Sequence, residues 1–375
     1  MKKTLLALAA IAASSAAFAQ SSVTLYGVMD ASVESVKANG STVTRVSSDN
    51  LATSRIGFKG TEDFGGGLKA NFALESALKA DTGAQGNSAR FFDRAAWVGI
   101  AGGFGDIRLG RIDTPIGDIA GNVLSAQAYD DLKIVGTRAG DAHRRADNAI
   151  TYFLPAIVPG LTASLQYSTA IGNSSSFVGA DKKTAGAEVS GTTSNNYGKA
   201  YGLAVKYVAG PLSAGLGYEY ARDELASTTT APTIAGNQKA NAALGYAAYD
   251  FGVAKVTAYY DVETSLQNLT TASKARRLSV TGAKVALPVA PNFTVIAGAS
   301  VARNISQSGV IDADVQIVTV KAIYDLSKRT AVYGMFTNVN NDTSSTASVD
   351  NATAGFSAAD HKTARGLAVG IKHSF

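Results

Sequence analysis

Residues 254–263 read AKVTAYYDVE, and apolar side chains alternate with polar ones along most of this stretch. Val256 and Tyr260 lie on one side of an extended chain, whereas Lys255 and Asp261 lie on the other. This alternation is typical of a half-buried β-strand, because successive side chains of a strand point to opposite faces. The same period recurs in Arg55–Lys59, Leu68–Glu75, Tyr201–Tyr207 and Leu367–Phe375. The sequence therefore predicts an all-β protein.

The connections between the predicted strands alternate between short and long. The short connections are Gly65–Gly67, Gly102–Gly105, Pro155–Gly160, Ala209–Pro211, Asp250–Gly252, Pro288–Pro291 and Asp325–Lys328. The long connections are Val36–Asn50, Ala80–Ala89, Pro115–Arg145, Ala170–Tyr197, Asp223–Gln238, Ser265–Lys274, Asn304–Ala313 and Asn341–Lys362. About sixteen strands result, and short turns at one rim with long loops at the other are expected of a transmembrane antiparallel β-barrel. A soluble Greek-key sandwich, which the alternation also allows, gives no reason for this order.

Proline placement agrees with these connections. All seven prolines fall in or beside the predicted connections. A proline within a strand would remove a hydrogen bond from the sheet, and in lipid no water could replace that bond. The pattern therefore favours strands that cross a membrane.

The N-terminal segment has the features of a secretory signal peptide. Lys2 and Lys3 precede an apolar run of about ten residues, which is too short for the ~20 residues that span a bilayer as a helix. Ala17-Phe18-Ala19 then matches a small-x-small cleavage site. We expect export through the Sec route and cleavage between Ala19 and Gln20. Residues 1–19 would then be the signal peptide and residues 20–375 one barrel domain, and a retained anchor helix is the alternative.

Composition argues against several classes of function. Hydrophobic residues make up 46% of the chain and charged residues 17%, the latter below the ~25% of typical soluble domains. A formal net charge of +5 without a basic run does not favour nucleic acid as a partner. The chain has no Cys, which excludes disulfides and thiolate metal sites. We expect no cofactor and no metal.

Several short motifs occur at positions typical of one family. They are VTLYG (Val23–Gly27), SRIGFKGTED (Ser54–Asp63), RAAWVGI (Arg94–Ile100), LGR (Leu109–Arg111) and VGIKHSF (Val369–Phe375). In these motifs the chain resembles the general trimeric porins of Gram-negative bacteria, in particular the beta-proteobacterial branch. The resemblance extends over the whole mature chain and is most specific towards both ends.

The resemblance implies a barrel of about sixteen strands whose third outer loop folds into the lumen. It implies a homotrimer in the outer membrane, surrounded by lipid and lipopolysaccharide. The implied function is passive: a water-filled diffusion channel for ions and small polar solutes. The resemblance also implies that the barrel assembly machinery reads the terminal Phe375, which can equally be an aromatic residue of the membrane interface.

The connection Pro115–Arg145 is the candidate for the inward loop, where it would narrow the pore to a charged eyelet. Matching by motif predicts basic side chains on the facing wall at Arg55, at Arg94, and at Arg144 or Arg145. Lys59 shares the polar face of its strand with Arg55 and is included with them. The acidic side chains of the loop and its start are Asp113, Asp118, Asp130, Asp131 and Asp141. Facing carboxylates and guanidinia would set a transverse field. A surface loop, with the arginines elsewhere in the lumen, is the alternative.

Strand phase gives two further expectations. Trp97 falls on the face opposite to Arg94, which favours a lipid-facing position. Arg111 shares the phase of Leu109 and is therefore a weaker candidate for the eyelet. The arginines predict a weak anion preference, and the loop aspartates act against it.

Other functions are less favoured by the residues present. An outer-membrane hydrolase would need a base and a nucleophile at the outer rim, and the three histidines, His143, His361 and His373, are scattered. Asp360-His361 is the one adjacent acid–histidine pair. The remaining alternatives are a substrate-specific channel for a sugar or an organic anion and a structural or adhesin barrel. A sugar channel would be expected to carry aromatic side chains along its lumen, and the predicted lumen faces carry few.

Overall fold

The computed structural model describes residues 22–88, 90–126, 129–137, 144–170, 199–223, 238–266, 275–304, 314–342, 345, 347–349 and 362–375. The predicted cleavage site between Ala19 and Gln20 lies outside the described residues, as do Asp141, His143 and His361.

Seventeen strands and two helices make up the described part of the chain. The strands are β1 (Ser22–Ala38), β2 (Ser41–Ser48), β3 (Arg55–Gly65), β4 (Leu68–Ala77), β5 (Ala95–Gly102), β6 (Gly105–Asp113), β7 (Arg145–Phe153), β8 (Leu161–Ala170), β9 (Ala200–Ala209), β10 (Leu212–Asp223), β11 (Gln238–Asp250), β12 (Lys255–Leu266), β13 (Ala275–Ala290), β14 (Phe293–Arg303), β15 (Val315–Asp325), β16 (Thr330–Asn341) and β17 (Thr363–Ser374). The helices are α1 (Pro115–Val123) and α2 (Asp131–Ile134). Neither helix is long and apolar enough to cross a membrane.

The strands pair antiparallel in chain order, and the sheet closes on itself. β1 pairs with β17 from Val28 to Lys37, which leaves no open edge between the first and last strands. β2 and β3 lie end to end along the other edge of β1, where β2 pairs with residues 31–38 and β3 with residues 22–28. They act as one interrupted strand, so the ring has sixteen strands. The predicted all-β barrel is confirmed.

The first connection differs from the prediction of a long link over Val36–Asn50. Asn39 and Gly40 have positive φ angles of 48° and 79°, and pairing continues up to Ala38 and Ser41 on either side. A two-residue turn with both φ angles positive is the type I′ hairpin turn, which Asn-Gly favours. The predicted long link is therefore wrong, because most of it forms the upper half of a β-hairpin.

The short connections lie together at the other rim, as predicted, with one change. Pro288 was expected in a connection, but β13 continues past it to Ala290. The register between β13 and β14 shifts between these two residues. The register pairs Pro288 with Thr294 and skips Val289, so the regular ladder ends at the proline, which has no N–H to donate. The irregular pairing therefore accommodates proline at the end of the strand.

The barrel presents its apolar side chains outwards. Val98, Leu109, Ile150, Leu165 and Val369 expose between 50% and 62% of their surface on the outer wall. A band of outward apolar residues is what a lipid environment requires, and a closed barrel satisfies the backbone hydrogen bonds that lipid cannot. The inner wall carries small and polar residues and, on β11, β13, β15 and β16, apolar residues that are buried in one cluster with the connection between β6 and β7. The candidate site lies on this inner wall.

Candidate functional site

The connection between β6 and β7 begins with α1. Thr114 caps this helix, since its hydroxyl oxygen accepts a hydrogen bond from the Gly117 N–H at 3.1 Å, and Pro115 follows in the first turn. Both residue types are favoured there, because the first N–H groups of a helix have no partner within it. Asp118 remains 58% exposed in the first turn and lies 3.9 Å from Lys206. The helix thus begins at a defined point with one carboxylate exposed.

The apolar face of α1 packs against the inside of β10. Ile116 and Ile119 expose none of their surface. A Cβ at Gly217 would lie 2.9 Å from the Ile116 Cα and 3.1 Å from the Ile119 Cγ1, so the missing side chain permits this approach. Leu216, the preceding residue, is 53% exposed on the outer wall. The loop therefore folds into the lumen, and burial of each isoleucine contributes roughly 1.5–3 kcal/mol.

Asp130 and Asp131 are buried against the barrel wall. The Lys284 Nζ lies 2.8 Å from an Asp130 oxygen and 3.2 Å from an Asp131 oxygen, and the Tyr259 hydroxyl donates to Asp131. Burial raises the pKa of Asp130, but the ammonium groups of Lys284 and Lys321 outweigh it and hold this pKa below its ordinary value. Burial raises the pKa of Asp131, although Lys284 acts in the opposite direction. These two carboxylates anchor the loop, and the structure does not bring them to the arginines.

Tyr129 anchors the loop further round the barrel. Its hydroxyl donates to the Glu34 Oε2 at 3.0 Å, and the Thr319 hydroxyl donates to its carbonyl oxygen at 3.3 Å. Tyr129 exposes none of its surface, and Arg45 holds Glu34 through a contact of 2.7 Å. The loop is thus attached to the wall from β10 round to β1, and the predicted basic residues lie on the facing wall.

On that facing wall, Arg55 and Arg94 converge on Glu75 of β4. The Arg94 Nε donates to the Glu75 Oε1 at 2.5 Å, and the Arg55 Nε lies 3.6 Å from the Glu75 Oε2. The Tyr26 hydroxyl donates to the same oxygen at 2.9 Å. Glu75 was not predicted as a site residue, and its place on the polar face of a strand was the one indication in the sequence.

Arg144 and Arg145 join these residues where the loop returns to β7. The Arg145 Nε lies 3.0 Å from the Asp113 Oδ1. The charge of Arg144 acts on Arg55, and the charge of Arg94 acts on Arg145, so the side chains are close enough to interact. We call Arg55, Arg94, Arg144 and Arg145 the arginine cluster. Its four guanidinia face two carboxylates, those of Asp113 and Glu75.

Lys59 extends the basic wall beyond the arginine cluster. It lies on the same face of β3 as Arg55, two positions later in the alternation of that face. Its Nζ lies 5.2 Å from the centre of the Tyr26 ring, a separation at which a cation is attracted to the ring. Lys59 therefore adds positive charge on the periplasmic side of the cluster.

Trp97 faces the lumen, so its expected lipid-facing position is wrong. Together with Arg94 and Arg145 it lines a cavity of about 300 Å³, and the Arg108 guanidinium lies 4.2 Å from its ring. The next residue, Val98, is 57% exposed on the outer wall. The prediction placed Trp97 opposite to Arg94, but Arg94 precedes β5, where strand alternation does not apply.

Arg111 also turns inwards, against its predicted phase. The pairing of β6 with β7 shifts register between Gly110 and Ile112, and Gly110 has a φ of +131°. The Arg111 Nη1 lies 2.5 Å from one Asp147 oxygen, and the Arg90 Nη2 lies 2.6 Å from the other. Asp147 neutralises charge here and ties the loop before β5 to β7.

Phe375 completes the closure of the barrel. Its N–H donates to the Gly27 carbonyl oxygen at 3.1 Å, and the Gly27 N–H donates to the Phe375 carbonyl oxygen at 3.0 Å. The ring is 43% exposed on the outer surface, and a Cβ at Gly27 would lie 2.3 Å from it. This position suits an aromatic residue of the membrane interface, and its role as an assembly signal stays a prediction.

Comparison with known proteins agrees with this architecture. A family model described as Gram-negative porin matches residues 5–344. The outer membrane porin protein 32 of Delftia acidovorans is 32% identical over 388 residues, covering 100% of both chains. The major outer membrane protein P.IB of Neisseria lactamica is 35% identical over 176 residues, which cover 44% of this chain and 50% of that protein.

A solved structure shows the same fold. The anion-selective porin from Comamonas acidovorans superposes with a TM-score of 0.74 at 28% sequence identity, covering 95% of this chain and 100% of that one. The family match and the full-length relative together decide the assignment. This chain belongs to the Gram-negative porin family and is an outer-membrane porin.

Proposed function

We propose that this porin prefers anions and that the arginine cluster is its selectivity filter. Charges at the narrowest part of a pore determine which ions pass. The carrying observation is the withdrawal of Asp130 and Asp131 into ion pairs with Lys284. Because of it, the carboxylates that the described part of the loop and its start present to the lumen are those of Asp113 and Asp118, and positive charge remains in excess on the facing wall.

The expected preference is moderate. At about 8 Å in water, one net charge changes the energy of a monovalent ion by about 0.5 kcal/mol. Two net charges double this value, and salt at 0.1 M, with a Debye length of about 10 Å, reduces it by about half. Anions gain and cations lose the same amount, so the predicted ratio of permeabilities is several-fold. The similar porin from Comamonas acidovorans, described as anion-selective, supports the same sign.

The cell-biological predictions form part of the same proposal. The chain is exported through the Sec route, is cleaved between Ala19 and Gln20, and is inserted by the barrel assembly machinery, which reads Phe375. It then forms a homotrimer among lipid and lipopolysaccharide. Family membership supports the trimer, and a shift from trimer to monomer on gels after heating tests it.

We also propose that the chain catalyses no reaction and holds no cofactor, since the members of its family are channels. A second candidate function is a channel specific for one class of organic anion. The position of Trp97 in the lumen favours this candidate over a sugar channel, because Arg94 and Arg145 of the arginine cluster line the same cavity as the ring. Liposome swelling distinguishes a general diffusion channel from a specific one. A graded size limit supports general diffusion, and saturable uptake of one solute supports a specific channel.

Charge reversal tests the selectivity filter. The variant Arg55→Glu/Arg94→Glu, recorded in planar bilayers under a salt gradient, is expected to move the reversal potential towards that of cations. Arg303→Glu is the matched control, because Arg303 is exposed on the outer wall at the end of β14. A reversal potential that is the same in the double variant and in the wild type would contradict the assignment.

A further inference from the structure

Three aromatic rings line the lumen wall next to the arginine cluster. Tyr26, Trp97 and Phe153 share with Arg94 and Arg145 the lining of the cavity of about 300 Å³. This volume is at the lower end of the roughly 300–1,000 Å³ typical of small-molecule pockets. Apolar rings do not bind hydrated inorganic ions, since carbon atoms cannot replace the water around an ion. The rings therefore indicate a solute that has an apolar part.

The cation that touches the Trp97 and Phe153 rings is paired with a carboxylate. The Arg108 guanidinium lies 4.2 Å from the centre of the Trp97 ring and 4.5 Å from that of the Phe153 ring, and its Nη2 lies 2.7 Å from Asp106. Arg108 thus holds both rings in position through cation–π contacts. Arg94 and Arg145 are paired with Glu75 and Asp113, which line the same cavity. The positive charge that remains for a solute is therefore the excess of the four guanidinia of the arginine cluster over these two carboxylates. Asp118 also lines the cavity and lies 3.9 Å from Lys206.

We infer that this cavity is a subsite for organic anions with a flat apolar ring, that is, for aromatic carboxylates. The carboxylate lies against Arg94 and Arg145, where charge-assisted hydrogen bonds form. The ring lies against Trp97 and Phe153, where offset or edge-to-face contacts are favourable. The inference rests on the proposed anion-preferring pore and names the class of solute that binds in it.

The charged and the aromatic halves of the cavity together make the subsite selective. A neutral sugar lacks the charge that the arginine cluster attracts. Chloride or an aliphatic carboxylate such as acetate has the charge but no ring to contact Trp97. Each of these solutes uses one half of the subsite, so each is expected to bind more weakly than an aromatic carboxylate.

The fluorescence of Trp97 reports on the cavity directly, because it is the single tryptophan of the chain. The purified porin in detergent is titrated with 4-nitrobenzoate, whose ring quenches indole fluorescence on contact, and with the neutral 4-nitrobenzamide. We expect saturable quenching by 4-nitrobenzoate and binding of the amide that is weaker by about tenfold, since it loses a hydrogen-bonded charge. Equal and non-saturating quenching by both probes would overturn the inference.

Variants test the two halves separately. Arg94→Gln is expected to weaken the binding of 4-nitrobenzoate to the level of the amide, whereas Phe153→Leu is expected to weaken the binding of both probes. Phe336→Leu, at a ring 40% exposed on the outer wall, is the matched control and changes neither. Unchanged 4-nitrobenzoate binding in Arg94→Gln would contradict the subsite.

A bilayer measurement on the same preparations separates this inference from the proposed function. If the wild type prefers chloride over potassium but shows no saturable quenching, the subsite alone is rejected. If the wild type has no anion preference, the proposed function is rejected as well.

Discussion

Replacing Lys284 by methionine should release part of the lumen loop. Its ammonium group lies 2.8 Å from Asp130, 3.2 Å from Asp131 and 3.0 Å from the Val123 carbonyl oxygen. Removing one partner of a buried ion pair costs about 3–5 kcal/mol. The charge of Lys321 also acts on Asp130, so the lower value applies. About 3 kcal/mol raises the ratio of released to attached loop by about 100-fold.

Single-channel recording is the assay for this release. Asp130 and Asp131 would leave the wall and move towards the pore, while the buried isoleucines keep α1 in place. We expect Lys284→Met to lower the mean conductance and to increase open-channel noise. The triple variant Lys284→Met/Asp130→Asn/Asp131→Asn should recover quiet openings, because it removes the uncompensated carboxylates. Wild-type conductance and noise in Lys284→Met, or no recovery in the triple variant, would refute the reasoning.

Three further outcomes are expected. Gly27→Ala should destabilise the barrel by about 1–3 kcal/mol, since the new methyl group overlaps the Phe375 ring. Thermal unfolding in detergent measures this loss. The control Gly334→Ala should be near neutral, because the new methyl group would have no atom within 4 Å. Glu75→Gln should move the reversal potential further towards that of anions, and a move towards cations would contradict the filter. Because the folded-state pKa of Asp130 is lowered, its stabilisation is present above the ordinary aspartate pKa of about 3.9 and is lost only as the pH falls below it. In the variant Asp131→Asn, which removes the carboxylate whose pKa burial raises, open-channel noise should therefore be the same at pH 7 and pH 5, and an increase over this range would count against the Asp130 anchor.

The strands were predictable because a barrel wall has lipid on one side and a lumen on the other, so polarity alternates along each strand. The exceptions lie where the backbone departs from regular pairing. Asn39-Gly40 was hidden in a polar stretch that resembles a loop by composition, although Asn-Gly is itself a hairpin signal. Pro288 and Gly110 occur beside register shifts, and a bulge reverses the phase on which the prediction depends.

The grouping of the basic residues was predictable from the sequence, but the pairing of the charged residues was not. Motif positions indicated the arginine cluster, and the structure brings its four side chains together. The sequence could not show that Asp130 and Asp131 face Lys284, because that contact joins residues about 150 positions apart. Nor could it place Trp97 in the lumen, since the phase was counted from Arg94, which lies outside the strand. The sign of the lumen charge depends on these long-range contacts.

The sign of the reversal potential of the wild-type porin under a potassium chloride gradient tests the account most directly. With Asp130 and Asp131 withdrawn and four guanidinia facing two carboxylates, the account predicts a reversal potential on the chloride side of zero. A reversal potential on the potassium side of zero would contradict it.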